Sequence, residues 1–345
     1  MNTLSQKDVR NILVVSANWI GDCIFSAPVF AALKEYFPQA RIVCMGVARV
    51  REVLESIPFI DEVMVYDEEG AHRSFWAKWK FARSLGSRKF DLAFLLRPSY
   101  SRALLLAAAA IPVRIGYAKK GKGRFLTRIV SEQEGLLHRS DHYLRILEEA
   151  GIPVNRRQCV LRVGENESER VKVLLREKGI EPKENFIVLN PGGNWDLKRW
   201  PLERYIKLAQ ALLQQNRKVV LTGAEKDTGL AGRIHQEAQH EHLIDLSGKT
   251  SLKELMALLQ KAKLVVSGDS GPLHMASSVG TPVVALFGPT RAEVTAPRGK
   301  GKSRLLQKEI GCNLLPCYFL DCPNNQCMQA ITLEDVLHEI KRTEG

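Results

Sequence analysis

Short runs of β-branched and aliphatic residues recur along the chain, each parted from the next by a stretch whose apolar positions follow helical spacing. In the first half the runs are NILVVS (11–16), RIVCMG (41–46), EVMVY (62–66), DLAFLL (91–96) and VRIGY (113–117). In the second half they are FIVLN (186–190), KVVLTG (218–223), HLIDL (242–246), KLVVSG (263–268) and PVVALFG (282–288). Runs this continuously apolar, alternating with amphipathic helices, predict parallel strands covered on both faces. Between the two series a helix around 137–150 gives way to GIPVNRRQ and then to the polar GENESER, which places a boundary near residue 165. The pattern predicts an α/β protein of two doubly wound, Rossmann-like domains, 1–165 and 166–345, facing across a cleft, with a C-terminal helix closing the second. In open sheets of this kind ligands bind beyond the carboxyl ends of the strands, so the turns after these runs are where chemistry belongs.

Composition leaves that picture standing. A chain of 345 residues suits two domains, and 45% hydrophobic with 26% charged residues argues against disorder and against a membrane class. The longest uncharged apolar run, 103–113, is bounded by Arg102 and Arg114 and falls well short of the ~20 residues a spanning helix needs. It reads as a buried helix leading into a strand. The N-terminus enters the first apolar run without the pattern of a signal peptide, and seven cysteines, an odd number, argue for reduced thiols; the expectation is a cytoplasmic enzyme. The net charge of +12, most of its excess in residues 1–165, suits an anionic partner: nucleic acid, an acidic membrane surface or a phosphorylated substrate.

Three strand ends in the second half carry candidate chemistry. In LVVSGDSGPLHMA (264–276), Ser270 and Gly271 turn the chain into a helix with Pro272 at a position a first helical turn tolerates. Backbone N–H groups at such a start, with the positive end of the helix dipole, form an anion site that Ser270 and His274 extend; the alternative is a plain strand-to-helix turn capped by Asp269 or Ser270. NPGGNWDLKRWP (190–201) adds a Gly-Gly turn with Lys198 and Arg199, cations suited to a diphosphate or, alternatively, a solvated pair before a helix. TGAEKD (222–227) brings Glu225 and Asp227, either a ribose-binding carboxylate or a helix cap. A nest, cations and a carboxylate together fit a nucleotide diphosphate.

The first strand runs into Asn18-Trp19-Ile20-Gly21-Asp22 and a helix, placing Asp22 where a carboxylate either takes a proton from an attacking hydroxyl or complements the helix dipole. The Gly-punctuated loop YAKKGKGR (117–124), with Lys119, Lys120 and Lys122, and the arginines Arg97 and Arg102 are either solvated or hold the acidic groups of an acceptor.

These motifs, with ALLLAAAAIPVRIGY (103–117) and GDSGPLHMASSVGTPVVALFGPT (268–290), appear in the order and over nearly the whole length of glycosyltransferase family nine, which the chain resembles, most of all the type II ADP-heptose:lipopolysaccharide heptosyltransferases. The resemblance implies a GT-B fold and inverting transfer of heptose from ADP-heptose onto heptosyl-Kdo-lipid A in lipopolysaccharide core assembly, at the cytoplasmic face of the inner membrane. By position, Asp22 resembles the general base and Lys198 the pyrophosphate-holding residue. Asp269, Ser270, Gly271 and His274 resemble the phosphate and heptose contacts, Asp227 the ribose carboxylate in preference to Glu225, and Thr250 an adenine-pocket residue. Arg97, Arg102, Lys119, Lys120 and Lys122 are the expected acceptor contacts. No Asp-x-Asp pair occurs, so a metal-bridged diphosphate is not expected, nor is a cofactor.

Cys312, Cys317, Cys322 and Cys327 recur every five residues around Pro316 and Pro323; without paired C-x2-C spacing or a histidine they read as a loop of thiols, with a structural metal as the alternative. Competing functions are heptosyltransferase I acting on Kdo-lipid A and a nucleotide-sugar 2-epimerase of like architecture. A dehydrogenase lacks its G-x-G-x-x-G after the first strand, and no nucleic-acid motif accompanies the positive charge.

Overall fold

The computed structural model describes residues 8–118, 123–131, 135–312, 316–317, 322 and 325–344. The chain divides into two compact units, Met1–Leu161 and Arg162–Gly345.

The first unit is built on a six-stranded sheet of β1 (Asn11–Val15), β2 (Arg41–Gly46), β3 (Glu62–Val65), β4 (Leu92–Leu95), β5 (Val113–Tyr117) and β6 (Arg128–Val130). The order across the sheet is β3-β2-β1-β4-β5-β6, and every pairing is parallel. Central strands must be apolar on both faces because helices cover each side. Ile12, Leu13, Val14 and Val15 of β1 and Leu92, Ala93, Phe94 and Leu95 of β4 are accordingly buried. The strand order reverses between β1 and β4, so the crevice at their carboxyl ends is the unit's topological switch point.

The second unit repeats the plan with β7 (Phe186–Asn190), β8 (Lys218–Leu221), β9 (Leu243–Asp245), β10 (Leu264–Gly268), β11 (Val283–Phe287) and β12 (Ser303–Gln307). Here the order is β12-β11-β10-β7-β8-β9, again all parallel, with the switch point between β7 and β10. Trp200, Tyr205, Leu208 and Leu212 pack on one face of this sheet with Val336 and Ile340 of the helix Leu333–Glu344. That last helix is pinned at its ends by Lys308–Asp335 at 2.7 Å and Arg217–Glu344 at 2.6 Å.

The ten strands expected from the hydrophobic runs are present, and the run 103–113 is the end of the helix Tyr100–Ala108 leading into β5. Two further strands, β6 and β12, lie at sheet edges, where the chain needs less apolar character.

Candidate active site

In the first unit the turn after β1 delivers Asp22 into the first turn of the helix Ile20–Phe25, at the positive end of its dipole. Three groups converge on its carboxylate. Arg97 Nη1, from the turn after β4, donates to Oδ2 at 3.1 Å; the Tyr143 hydroxyl donates to Oδ1 at 3.0 Å; Arg139 Nε stands 3.5 Å from Oδ1. Tyr143 and Arg139 both lie on the helix Arg139–Glu149. Burial, and then the charge of Asp22, push the Tyr143 phenol well above its ordinary value of 10.0, so it remains a donor. Arg97 is half exposed.

A cavity of about 310 Å³ opens beside this group, lined by Ser16, Asn18, Trp19, Glu68, Arg97 and Arg102 among others. Arg102 is buried, and its guanidinium is spent on the cavity wall: Nη1 donates to the Ser16 carbonyl at 3.1 Å, Nη2 to Asn18 Oδ1 at 2.9 Å and Nε to Glu68 Oε2 at 3.3 Å. Its visible work is to hold the β1 turn to the β3 turn. Arg97 is the arginine open to a ligand. Lys119, Lys120 and Lys122 lie outside the described residues. Cys23, beneath the turn, is buried, which pushes its thiol up to about 12.

In the second unit Asp269, the residue after β10, is buried and collects four donors. Lys198 Nζ approaches Oδ2 to 2.6 Å, His274 Nε2 donates to Oδ1 at 3.1 Å, and the hydroxyls of Thr290 and Thr295 donate to Oδ2 at 2.8 and 3.3 Å. Burial alone would raise this carboxyl; the His274 hydrogen bond and the Lys198 charge overcome it and hold it well below its ordinary value of 3.8. The turn that presents Lys198 passes so close to β10 that a Cβ on Gly268 would lie 2.5 Å from the Lys198 carbonyl oxygen. Glycine at 268 is a packing requirement. Ser270 precedes the first turn of the helix Gly271–Val279, its hydroxyl 2.9 Å from that of Ser267, which in turn accepts from Asn190 Nδ2 at 3.2 Å. The ends of β7 and β10 are thereby tied at the switch point, with Lys198 and a helix N-terminus beside them.

The third loop resolves its two carboxylates. Asp227 is buried, accepts from the Ala224 N–H at 3.1 Å, and stands 3.5 Å from Arg199 Nη2; a Cβ on Gly192 would collide with it. Its contacts are those of a cap that binds the β7 turn to the β8 turn. Glu225 is exposed in the same loop. Thr250 is half-buried in the turn after β9, and that turn packs on the loop of Glu225, with a Cβ on Gly248 meeting the Glu225 Cα at 3.2 Å.

Sequence reasoning did not single out Arg139 and Tyr143 around Asp22, or Thr290 and Thr295 around Asp269. Thr290 had a signal, since Gly288-Pro289-Thr290 follows β11 as another strand-end turn; Arg139 and Tyr143 lie on a helix with no motif of its own. Of the four evenly spaced cysteines, Cys312 is exposed, Cys317 buried, and Cys322 and Cys327 half-buried. Among the described residues no group of three or more His, Cys, Asp or Glu is placed to hold a metal ion.

The sequence profile of glycosyltransferase family 9 (heptosyltransferase) matches residues 78–317. Lipopolysaccharide heptosyltransferase 2 of Escherichia coli strain K12 is 27% identical over 312 residues, which cover 87% of this chain and 88% of that one. The structure of E. coli ADP-heptose LPS heptosyltransferase II superposes with a TM-score of 0.80 at 26% identity, covering 97% of this chain and 98% of that chain. The family 9 glycosyl transferase of Veillonella parvula superposes with a TM-score of 0.91 at 23% identity over 99% of each chain, a likeness of fold.

Proposed function

Because this chain belongs to glycosyltransferase family 9 and carries the two-domain α/β architecture of the GT-B heptosyltransferases, we propose that it transfers heptose from ADP-heptose onto heptosyl-Kdo-lipid A in lipopolysaccharide core assembly. The observation that carries the reading is the cation Lys198, held at 2.6 Å by the buried Asp269 beside the start of the helix Gly271–Val279. A diphosphate seated at that helix start receives backbone N–H groups, the helix dipole and the ammonium together. The similar E. coli enzyme is named for ADP-heptose, which has such a diphosphate.

The reaction is a single inverting displacement. An acceptor hydroxyl attacks the anomeric carbon of the heptose, its proton passes to Asp22, the new glycosidic C–O bond forms, and the bond to the diphosphate oxygen breaks to release ADP. Lys198, the Ser270-Gly271 turn and His274 meet the charge that grows on the leaving diphosphate, while Asp269 positions Lys198 and His274. Asp22 needs its orientation fixed before it takes a proton, and Tyr143 and Arg139 supply that. Arg97, half exposed, exchanges Asp22 for an acidic group of the acceptor. On the nucleoside side, the loops of Asp227, Glu225 and Thr250 line the ribose and adenine, with exposed Glu225 better placed for a ribose hydroxyl than capped Asp227.

Two corollaries belong to the same proposal. The leaving group is stabilised by protein cations and backbone dipoles without a metal, in keeping with a sequence that has no Asp-x-Asp pair, so turnover survives chelation by EDTA. The acceptor is lipid-linked, so the enzyme works at the cytoplasmic surface of the inner membrane; no described helix is long and apolar enough to cross one. The test is ADP release from ADP-heptose with and without a lipid A-linked acceptor. Release that depends on the acceptor supports transfer; conversion of the sugar in donor-only reactions marks an epimerase instead.

A further inference from the structure

The helix Phe75–Ser87 carries a second apolar face, of large aromatic residues, on its solvent side. Phe81, Ala82 and Leu85 face the core, whereas Phe75 is 74% exposed, Trp76 73% and Trp79 49%. The three rings form one continuous strip, with centroids 5.8 Å apart from Phe75 to Trp76 and 6.3 Å from Trp76 to Trp79. Large aromatic side chains gain stability when removed from water, so three adjacent ones left exposed mark a surface that something covers.

The charge around the strip states what that is. From Ala71 to Phe90 the sequence contains no acidic residue but holds Arg73, Lys78, Lys80, Arg83, Arg88 and Lys89. Arg88 pairs with Glu62, while Lys80 and Arg83 flank the aromatic strip on the exposed face, Arg83 with its guanidinium 5.5 Å over the Trp79 ring. Aromatic rings beside cations on one exposed helical face match a bilayer interface, where rings enter the headgroup-acyl boundary and Lys and Arg stems reach back to lipid phosphates. The helix begins at the carboxyl edge of the first sheet, after the loop that carries Glu68 into the Arg97 cavity. We propose that the exposed face of Phe75–Ser87 docks this enzyme on an anionic phospholipid bilayer, presenting the Arg97 cavity to lipid-borne molecules.

The inference rests on the lipid-linked acceptor for its purpose, but its test uses neither donor nor acceptor, so the two fail separately. Wild-type protein is sedimented with phosphatidylcholine vesicles prepared with and without phosphatidylglycerol, alongside Phe75→Ser/Trp76→Ser/Trp79→Ser and Lys80→Glu/Arg83→Glu variants. All five positions are exposed, and matching thermal unfolding verifies that the variants fold. Wild type is expected to bind the anionic vesicles. The serine variant loses at least about 10-fold in partitioning. The glutamate variant loses about 5-fold or more per cation at low salt, a gap that closes at high salt. Wild type that stays in the supernatant, or a serine variant that binds as well as wild type, overturns the proposal. So does a wild-type dimer that the serine substitutions dissociate while neither protein binds vesicles, which would assign the strip to a second copy of the chain.

Discussion

Lys198 and Asp269 are 71 residues apart in the chain and meet at 2.6 Å, the lysine from the turn after β7 and the aspartate from the end of β10. The contact spans the strand-order reversal of the second sheet, where a ligand's anionic group would sit against the helix N-terminus. It changes the meaning of the Asp269 motif. The carboxylate is the anchor that sets Lys198 and His274, the groups to which the proposed function assigns the diphosphate.

Removing either partner should therefore damage the same step. Lys198→Ala is expected to lower kcat by about 10²–10³, the usual cost of one charge-stabilising donor. Asp269→Asn should also lower turnover and weaken ADP binding, because Lys198 and His274 lose their anchor. Steady-state kinetics with calorimetric ADP titration checks this; an Asp269→Asn enzyme with wild-type kcat and ADP affinity would contradict it.

The same aspartate makes a pH prediction. Its folded-state carboxyl lies below the ordinary 3.8, so its contribution to stability is fully present above that value and drains as pH falls through the lower folded one. Asp269→Asn should accordingly cost most at neutral pH, and its deficit in urea unfolding should shrink between about pH 5 and about pH 2. A deficit that stays constant or grows on acidification would show that the charge contributes nothing.

Gly268 and Gly193 form a matched pair. A methyl group at 268 meets the Lys198 carbonyl at 2.5 Å, while one at 193 meets nothing within 4 Å. Gly268→Ala should destabilise by about 1–3 kcal/mol through overpacking and displace Lys198, whereas Gly193→Ala should leave the unfolding midpoint within error. Equal effects would remove the close approach as an explanation for glycine at 268.

Around Asp22 the prediction separates chemistry from binding. Asp22→Ala should lower kcat by about 10²–10⁴ while ADP affinity remains within about 2-fold, as expected of a general base on the acceptor side. Tyr143→Phe removes one oriented hydrogen bond and should cost about 10-fold in kcat at most. Comparable loss of ADP binding in Asp22→Ala would refute its assignment.

Much of this was legible in one dimension because the central strands are buried on both faces and so read as near-continuous apolar runs. The edge strands were not: β12, SRLLQ, is half-buried with Leu305 exposed, and β6, RIV, is three residues long, so neither gives a clear apolar run. In the site, Asp22, Lys198 and the GDSGPLH turn were readable because each sits in a compact strand-turn-helix motif. Their partners were not, since Tyr143 reaches Asp22 across 121 residues and Thr290 reaches Asp269 across 21, distances at which only the folded sheet sets neighbours. Asp227 and Arg102 illustrate the converse. Their motifs advertised ligand chemistry, and the fold uses both largely to bind one turn to another.

The most direct test of the proposed activity is mass analysis of products formed by the purified enzyme from ADP-heptose and two truncated acceptors, Kdo-lipid A with no heptose and the same molecule carrying one. The proposed activity predicts a gain of a single heptose on the one-heptose acceptor and none on the bare acceptor. Transfer onto the bare acceptor, or no transfer onto either with ADP-heptose, would contradict it.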